Sequence, residues 1–282
     1  MAWWLNMNTV QILLPRHLVS FDGWVDDPKD GHATPVFTAT FHHPRVNKEI
    51  QAYCKPYPYP GKRLFNEIAA WLSTHDKNIA QPEYAFLAFV EKNTIPKLDI
   101  YCAHQSYDWI KGQAELSLFC ASRLDGKTAA VRAFSPEYEL TPQIQADIRH
   151  WEQLPAAIVL DEIIANTDRH PGNLIRLDAK KYALIDNGNL ISETGEEWTV
   201  AEINHDKNYS NLLTDILHEE QSACLLCAET APKLSPAVRE ALQWWAEQLL
   251  TDEEERRKYL EFSNYRENHA PCLLKQRFNH LL

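Results

Sequence analysis

The sequence predicts an α+β protein with a strand-rich first part and a mainly helical second part. Up to about residue 120, short β-type runs are separated by turn residues; beyond about 125, helical periodicity dominates. With 282 residues, 45% of them hydrophobic and 24% charged, the chain can bury a substantial core and suits about two domains. The expected division is residues 1–122 and 123–282.

The first strands are "TPVFTATF" (34–41) and "EIQAYCKPY" (49–57), rich in β-branched and aromatic residues. The intervening "HHPRVNK" is expected to be a turn carrying His42 and His43. "YPYPGK" (57–62) stops the second run, because proline and glycine interrupt a strand. Helical spacing follows in "RLFNEIAAWLSTH" (63–75), where Leu64, Ile68 and Leu72 recur every fourth residue. "YAFLAFVE" (84–91) and "ELSLFCASRL" (115–124) read as further strands.

In the second part, "TPQIQADIRHWEQL" opens with Thr-Pro, a helix start. "PAAIVLDEIIANT" is apolar on nearly all sides and is expected to be a buried helix. A small strand pair, "LIRL" (174–177) and "YALID" (182–186), interrupts the helices, which resume over 211–282. The tryptophan pairs 3–4 and 244–245 are expected to pack rather than to stack on a ligand.

The formal net charge of −11 argues against general nucleic-acid binding, which needs basic patches. No run approaches 18 apolar residues, so no spanning helix is expected. No Lys or Arg precedes Arg16, whereas a secretory signal has a basic start. The expectation is a soluble cytoplasmic protein with no membrane partner. Cys224 and Cys227 have metal-ligand spacing, but no second pair completes a zinc site, so both are expected as core thiols.

The polar run "ANTDRHPGNLI" (165–175) joins the buried helix to the strand pair. With a four-residue turn at "DAKK", residue 174 faces 185 and Asn173 faces Asp186, about 4.5–5.5 Å apart at Cα. Asp168 lies just before them. Three oxygen-bearing side chains at one hairpin mouth suit a hard cation such as Mg²⁺, held together with a phosphate ligand. Gly188, in "LIDNGN", allows a sharp turn and a close ligand. In the first part, Lys55 lies in a strand and Glu67 in the next helix, an arrangement that aims an ammonium at α- and β-phosphates. The turn "DPKDGHATP" (27–35), with Gly31 and Thr34, offers backbone N–H groups to phosphates. Arg169 and His170 are expected to have structural roles, the arginine ordering the loop through carbonyls or a carboxylate.

"NTDRHPGN" followed by "LIDNG" resembles the active-site segment of the HipA-like kinases, and also that of the phosphoinositide lipid kinases. "CKPYP…LFNEIAAWL" resembles the family's strand Lys and helix Glu, and "SLFCASRLDG" the linker between lobes. The resemblance covers roughly residues 20 to 215. It implies a bilobal protein-kinase-like fold, with a strand-rich N-lobe and a mainly helical C-lobe. It further implies an ATP- and Mg²⁺-dependent Ser/Thr protein kinase, with adenine against the linker 118–124. On it, Asp168 matches the catalytic aspartate, Asn173 and Asp186 the metal ligands, Lys55 the phosphate-contacting lysine and Glu67 its partner. The phosphate turn is poorly matched, and 216–282 matches no known part of the family. A protein substrate and a small regulatory partner protein are implied. The same fold would also serve a lipid or small-molecule kinase, or a pseudokinase or toxin-like binding module. A metal-dependent hydrolase built on Asp168, Asn173 and Asp186 would leave Lys55 and Glu67 unexplained.

Overall fold

Alternating apolar residues build a curled sheet in the first part of the chain. The computed structural model describes residues 10–25, 35–128, 141–217 and 221–280. Strands β1 (Gln11–Leu13), β2 (Leu18–Trp24), β3 (Phe37–His43), β4 (Lys48–Tyr57), β5 (Ala85–Glu91) and β6 (Glu115–Ser122) form one sheet in the order β1-β5-β6-β4-β3-β2. Along β3, Phe37, Ala39 and Phe41 are fully buried, and Ile50, Ala52 and Cys54 of β4 join them on the same face. That period of two places one row of side chains inside.

β1 and β2 lie at opposite edges of this sheet, yet only residues 14–17 separate them in sequence. A flat six-stranded sheet would hold its edges about 24 Å apart at ~4.8 Å per strand. Five residue steps reach at most about 18 Å. The sheet therefore curls until its edges approach, and its inner face closes on Phe41, Phe86 and Leu118. His43 lies within this core, 4% exposed and 6.0 Å from the Phe86 ring. His42 and His43 thus end a strand rather than occupy the expected turn, because β3 runs on to pair His43 with Lys48.

The chain divides into two compact units, Met1–Leu64 with Pro82–Arg123, and Phe65–Gln81 with Leu124–Leu282; the short helix α2 (Leu98–Tyr101) belongs to the first. Most of helix α1 (Lys62–Asp76) belongs to the second unit, although the sequence reading placed it in the first lobe. Its Phe65 ring meets Tyr259 edge-on at 4.7 Å, and its Asn66 accepts a hydrogen bond from Trp198 Nε1 at 3.0 Å.

The second unit is mainly helical. Thr141 caps helix α3 (Pro142–Ile148), its Oγ1 accepting from Ile144 N at 3.3 Å, with Pro142 in the first turn. The expected longer helix breaks after Ile148, and Trp151 turns into the core. Helix α4 (Leu154–Ile164) is apolar on almost every side and correspondingly central, with Leu154 and every residue from Ala157 to Ile164 buried. α5 (Gln221–Thr230), α6 (Pro236–Leu249) and the long α7 (Glu253–His280) follow. Cys224 in α5 is buried and Cys227 partly so. In α6, Trp245 is buried and Trp244 is 43% exposed. Among the described residues, no helix is long and apolar enough to cross a membrane.

A small sheet completes this unit: β7 (Lys127–Thr128), β8 (Leu174–Asp178) and β9 (Lys181–Leu184), in that order. The hairpin register differs from the expected one. Leu174 faces Leu184 and Arg176 faces Tyr182, with an irregularity between Arg176 and Asp178. The turn is only Ala179-Lys180, tighter than the four residues assumed, and Leu177 is left over as a bulge. Asn173 therefore meets Ile185, whose N–H donates to Asn173 O at 3.1 Å, and Asp186 stands one residue further along.

Candidate functional site

α4 ends at Ala165, whose φ of 51° is left-handed, and the chain turns out of the helix there. Asn166, fully buried, bridges to Leu190 and accepts from Asp168 N at 3.0 Å through its Oδ1, an Asx turn. His170 repeats the device, its Nδ1 accepting from Gly172 N at 3.0 Å. These two side-chain turns explain why so polar a run folds tightly: its side chains take the place of backbone partners.

Arg169 fixes the loop from beneath. It is 1% exposed and grips Asp161 of α4 twice, Nε to Oδ2 at 3.0 Å and Nη2 to Oδ1 at 3.1 Å. Its Nη1 donates to Ile185 O at 2.7 Å, and its Nη2 to Asn187 Oδ1 at 2.6 Å. One guanidinium thus joins α4, the Asp168 loop and the two residues flanking Asp186. Burial holds the Asp161 carboxyl above its usual value, and Arg169 pulls it back down.

The three oxygen-bearing side chains lie on this frame. Asn173 Nδ2 donates to Asp168 O at 2.7 Å, which commits the amide nitrogen and turns Oδ1 the other way. Asp186 has φ 56° and is partly exposed. That left-handed turn costs a non-glycine residue strain, and here the loop is held on both sides. Asn187 N donates to Glu67 Oε2 at 2.9 Å, and Gly188 O accepts from Asn66 Nδ2 at 2.8 Å. Glu67 itself is 1% exposed. Asn189 Nδ2 donates to Asp168 Oδ2 at 2.9 Å, while Asp168 Oδ1 lies 3.9 Å from His170 Nε2.

The second unit thus joins Asp168, Asn173 and Glu67 by hydrogen bonds to one another or to the loop that carries Asp186. Lys55 belongs to the first unit, on β4 opposite Phe119 of β6. Its neighbours Cys54 and Pro56 are buried, so Lys55 projects from the opposite face of the sheet. Gly31 and Thr34 lie outside the described residues. Among those residues, no group of three or more His, Cys, Asp or Glu could hold a metal ion. A divalent cation at this mouth would take hard oxygens from Asn173 and Asp186 and would need further oxygens from a phosphate ligand or water, a donor set that fits Mg²⁺ with a nucleotide.

The sequence reading did not single out Asp161, Asn187 or Asn189. Asp161 had a signal, since a carboxylate inside the apolar run "AIVLDEII" requires a buried partner. Asn187 and Asn189 sit in plain view in "IDNGN", but only the fold reveals what they hold.

No protein-family model and no curated protein matches the chain. Among solved structures, it is similar to a MAP kinase from Leishmania major, at 14% identity and a TM-score of 0.34, over 91% of this chain and 81% of that one.

Proposed function

We propose that the chain is an ATP- and Mg²⁺-dependent phosphotransferase of the protein-kinase-like fold, specifically a HipA-like Ser/Thr protein kinase. The observation that carries this reading is the Arg169 junction. It ties the Asp168 loop, to which Asn173 is bonded, to Ile185 and Asn187, the two neighbours of Asp186, which supports a shared role for Asp168, Asn173 and Asp186. Phosphoryl transfer asks a protein mainly for positioning and charge stabilisation, and this assembly supplies positioning.

In this reading Asp168 orients the acceptor hydroxyl and takes its proton. Its Oδ2 is engaged by Asn189, which leaves Oδ1 for the acceptor. Asn173 Oδ1 and the Asp186 carboxylate hold the cation. When bound, Mg²⁺-ATP supplies the transferable phosphoryl group. Lys55 is assigned to the α- and β-phosphates from the sequence resemblance, with Glu67 as its proposed partner and Gly31 and Thr34 in the phosphate-covering turn. Glu67 also accepts the N–H of the residue after Asp186, so it serves the metal-bearing loop directly. A protein hydroxyl is the proposed acceptor, and a small regulatory protein the proposed partner.

The test is incubation with γ-labelled ATP and Mg²⁺, alone and with a cell extract. Label on the chain or on an extract protein supports the reading. Label confined to a lipid or small-molecule fraction would move the acceptor to another class. Absence of any label would sink the enzymatic reading.

A further inference from the structure

We infer that His43 makes the first unit acid-sensitive: the curled sheet accepts this imidazole only as the neutral ring, so a proton on it favours the opened sheet. His43 ends the inward-facing row of β3, after Phe37, Ala39 and Phe41, and is buried like them. Its ring lies 5.5 Å from that of Tyr84 and 6.0 Å from that of Phe86. Its Nδ1 is buried and has no hydrogen-bond partner among the described residues. The proposal does not depend on phosphoryl transfer.

Two costs oppose the proton. An imidazolium presents an N–H at both ring nitrogens, and the one on Nδ1 would be a buried, charged donor with nothing to receive it. The neutral ring can carry its proton on Nε2 and leave Nδ1 as a bare acceptor, which is the smaller loss. The second cost is repulsion. The charges that bear on His43 are Arg45 of the following turn, Lys48 of β4 and His42 beside it. Lys48 pairs with His43 across the strands and holds its Nζ 4.5 Å from the centre of the Tyr84 ring. A cation at His43 would share that ring with Lys48, which reduces the relief that an aromatic face otherwise gives.

Among the described residues, the carboxylates of the neighbouring elements are turned to other work. Glu49 of β4 is exposed and stands opposite His42. Glu83, before β5, is exposed and acts on Lys48. Asp22 of β2 is taken up by Ser20, Thr40 and Gln51. The short helix Pro15–His17, packed on β3, adds the basic groups Arg16 and His17, and β1 carries no titratable residue. Burial first, and then Arg45, therefore pull the His43 pKa below its ordinary value. Above about pH 6.5 the ring is neutral in both the folded and the unfolded chain. Below that, the unfolded chain takes up a proton that the folded chain refuses. The stability that rests on a neutral His43 is thus complete above about pH 6.5 and is lost as the pH falls toward the lower, folded value.

The test uses the full chain in urea, with pulse proteolysis and mass spectrometry of fragments from β3 and β4 reporting the opening of the first unit. For a histidine that stays neutral when folded, the opening constant should rise about tenfold between about pH 7.5 and about pH 5.5. His43→Phe keeps a ring beside Phe86, and His43→Gln keeps a polar side chain; neither titrates in this range. Both variants should lose most of that rise. In an NMR titration of the parent, the His43 ring should still be neutral at about pH 5.5, and this signal decides the matter if neither variant folds. A parent that opens no more readily in acid, or a folded variant with as steep a rise as the parent, would overturn the proposal. So would a His43 ring that titrates at about pH 6.5 in the folded chain.

Discussion

Arg169 holds Asp161 through two parallel hydrogen bonds, and both side chains are fully buried. Removing one member of such a pair strands the other charge in the core, at a cost of about 3–5 kcal/mol. Arg169→Leu should therefore shift the urea midpoint strongly downward. Arg169→Leu with Asp161→Leu should be less destabilised than Arg169→Leu alone, because no unpaired charge remains. Additive losses in this double-mutant cycle would show that the pair is not the anchor described.

Asn189 acts through Asp168. Asn189→Ala removes the donor to Asp168 Oδ2. The expected result is a fall in kcat of about tenfold, with ATP affinity kept and the fold intact. Asp168→Asn with Asn189→Ala should be no worse than Asp168→Asn alone. A full further loss in that double variant would assign Asn189 a separate role.

Glu67 supports the Asp186 loop, to which the cation is assigned. Glu67→Ala leaves the Asn187 N–H without its acceptor in a buried place, a loss of about 1–3 kcal/mol. The Mg²⁺ concentration for half-maximal ATP binding should rise. Glu67→Gln retains an acceptor oxygen and should disturb this less. Identical Mg²⁺ curves for parent and Glu67→Ala would remove Glu67 from the site.

Lys55→Met keeps most of the apolar stem and deletes the charge. A large loss of phosphotransfer with an unchanged melting temperature is expected. Lys48→Met and Lys62→Met should leave activity near that of the parent. If one of those is the damaging change, the phosphate-contacting lysine has been misassigned.

Strand and helix runs were legible wherever the apolar period was long. β3 and β4 alternate cleanly, and α4 is so apolar that it had to lie inside. Short features were not legible. β7 is two residues long, and the β8–β9 hairpin resolves into a two-residue turn plus a bulge where "DAKK" suggested four residues. That single residue of slippage moved Asp186 out of line with Asn173. Tertiary placement was also hidden: α1 has the periodicity of any amphipathic helix, and its attachment to the second unit shows in the fold alone, through Phe65 against Tyr259 and through Asn66 and Glu67 bonded to Gly188 and Asn187. The buried ion pairs of Asp161 and Glu162 draw partners from 8 and 104 residues away, and the longer of these separations has no local trace.

The most direct test of the central claim is a Mg²⁺ titration of ATP binding to the parent, Asp168→Asn and Asp186→Asn. Asp186 is assigned to the cation and Asp168 to the acceptor hydroxyl. The account predicts that Asp168→Asn binds Mg²⁺-ATP like the parent, and that Asp186→Asn needs more Mg²⁺ and binds more weakly. A parent that binds no ATP at millimolar Mg²⁺, or two variants that both bind like the parent, would contradict it.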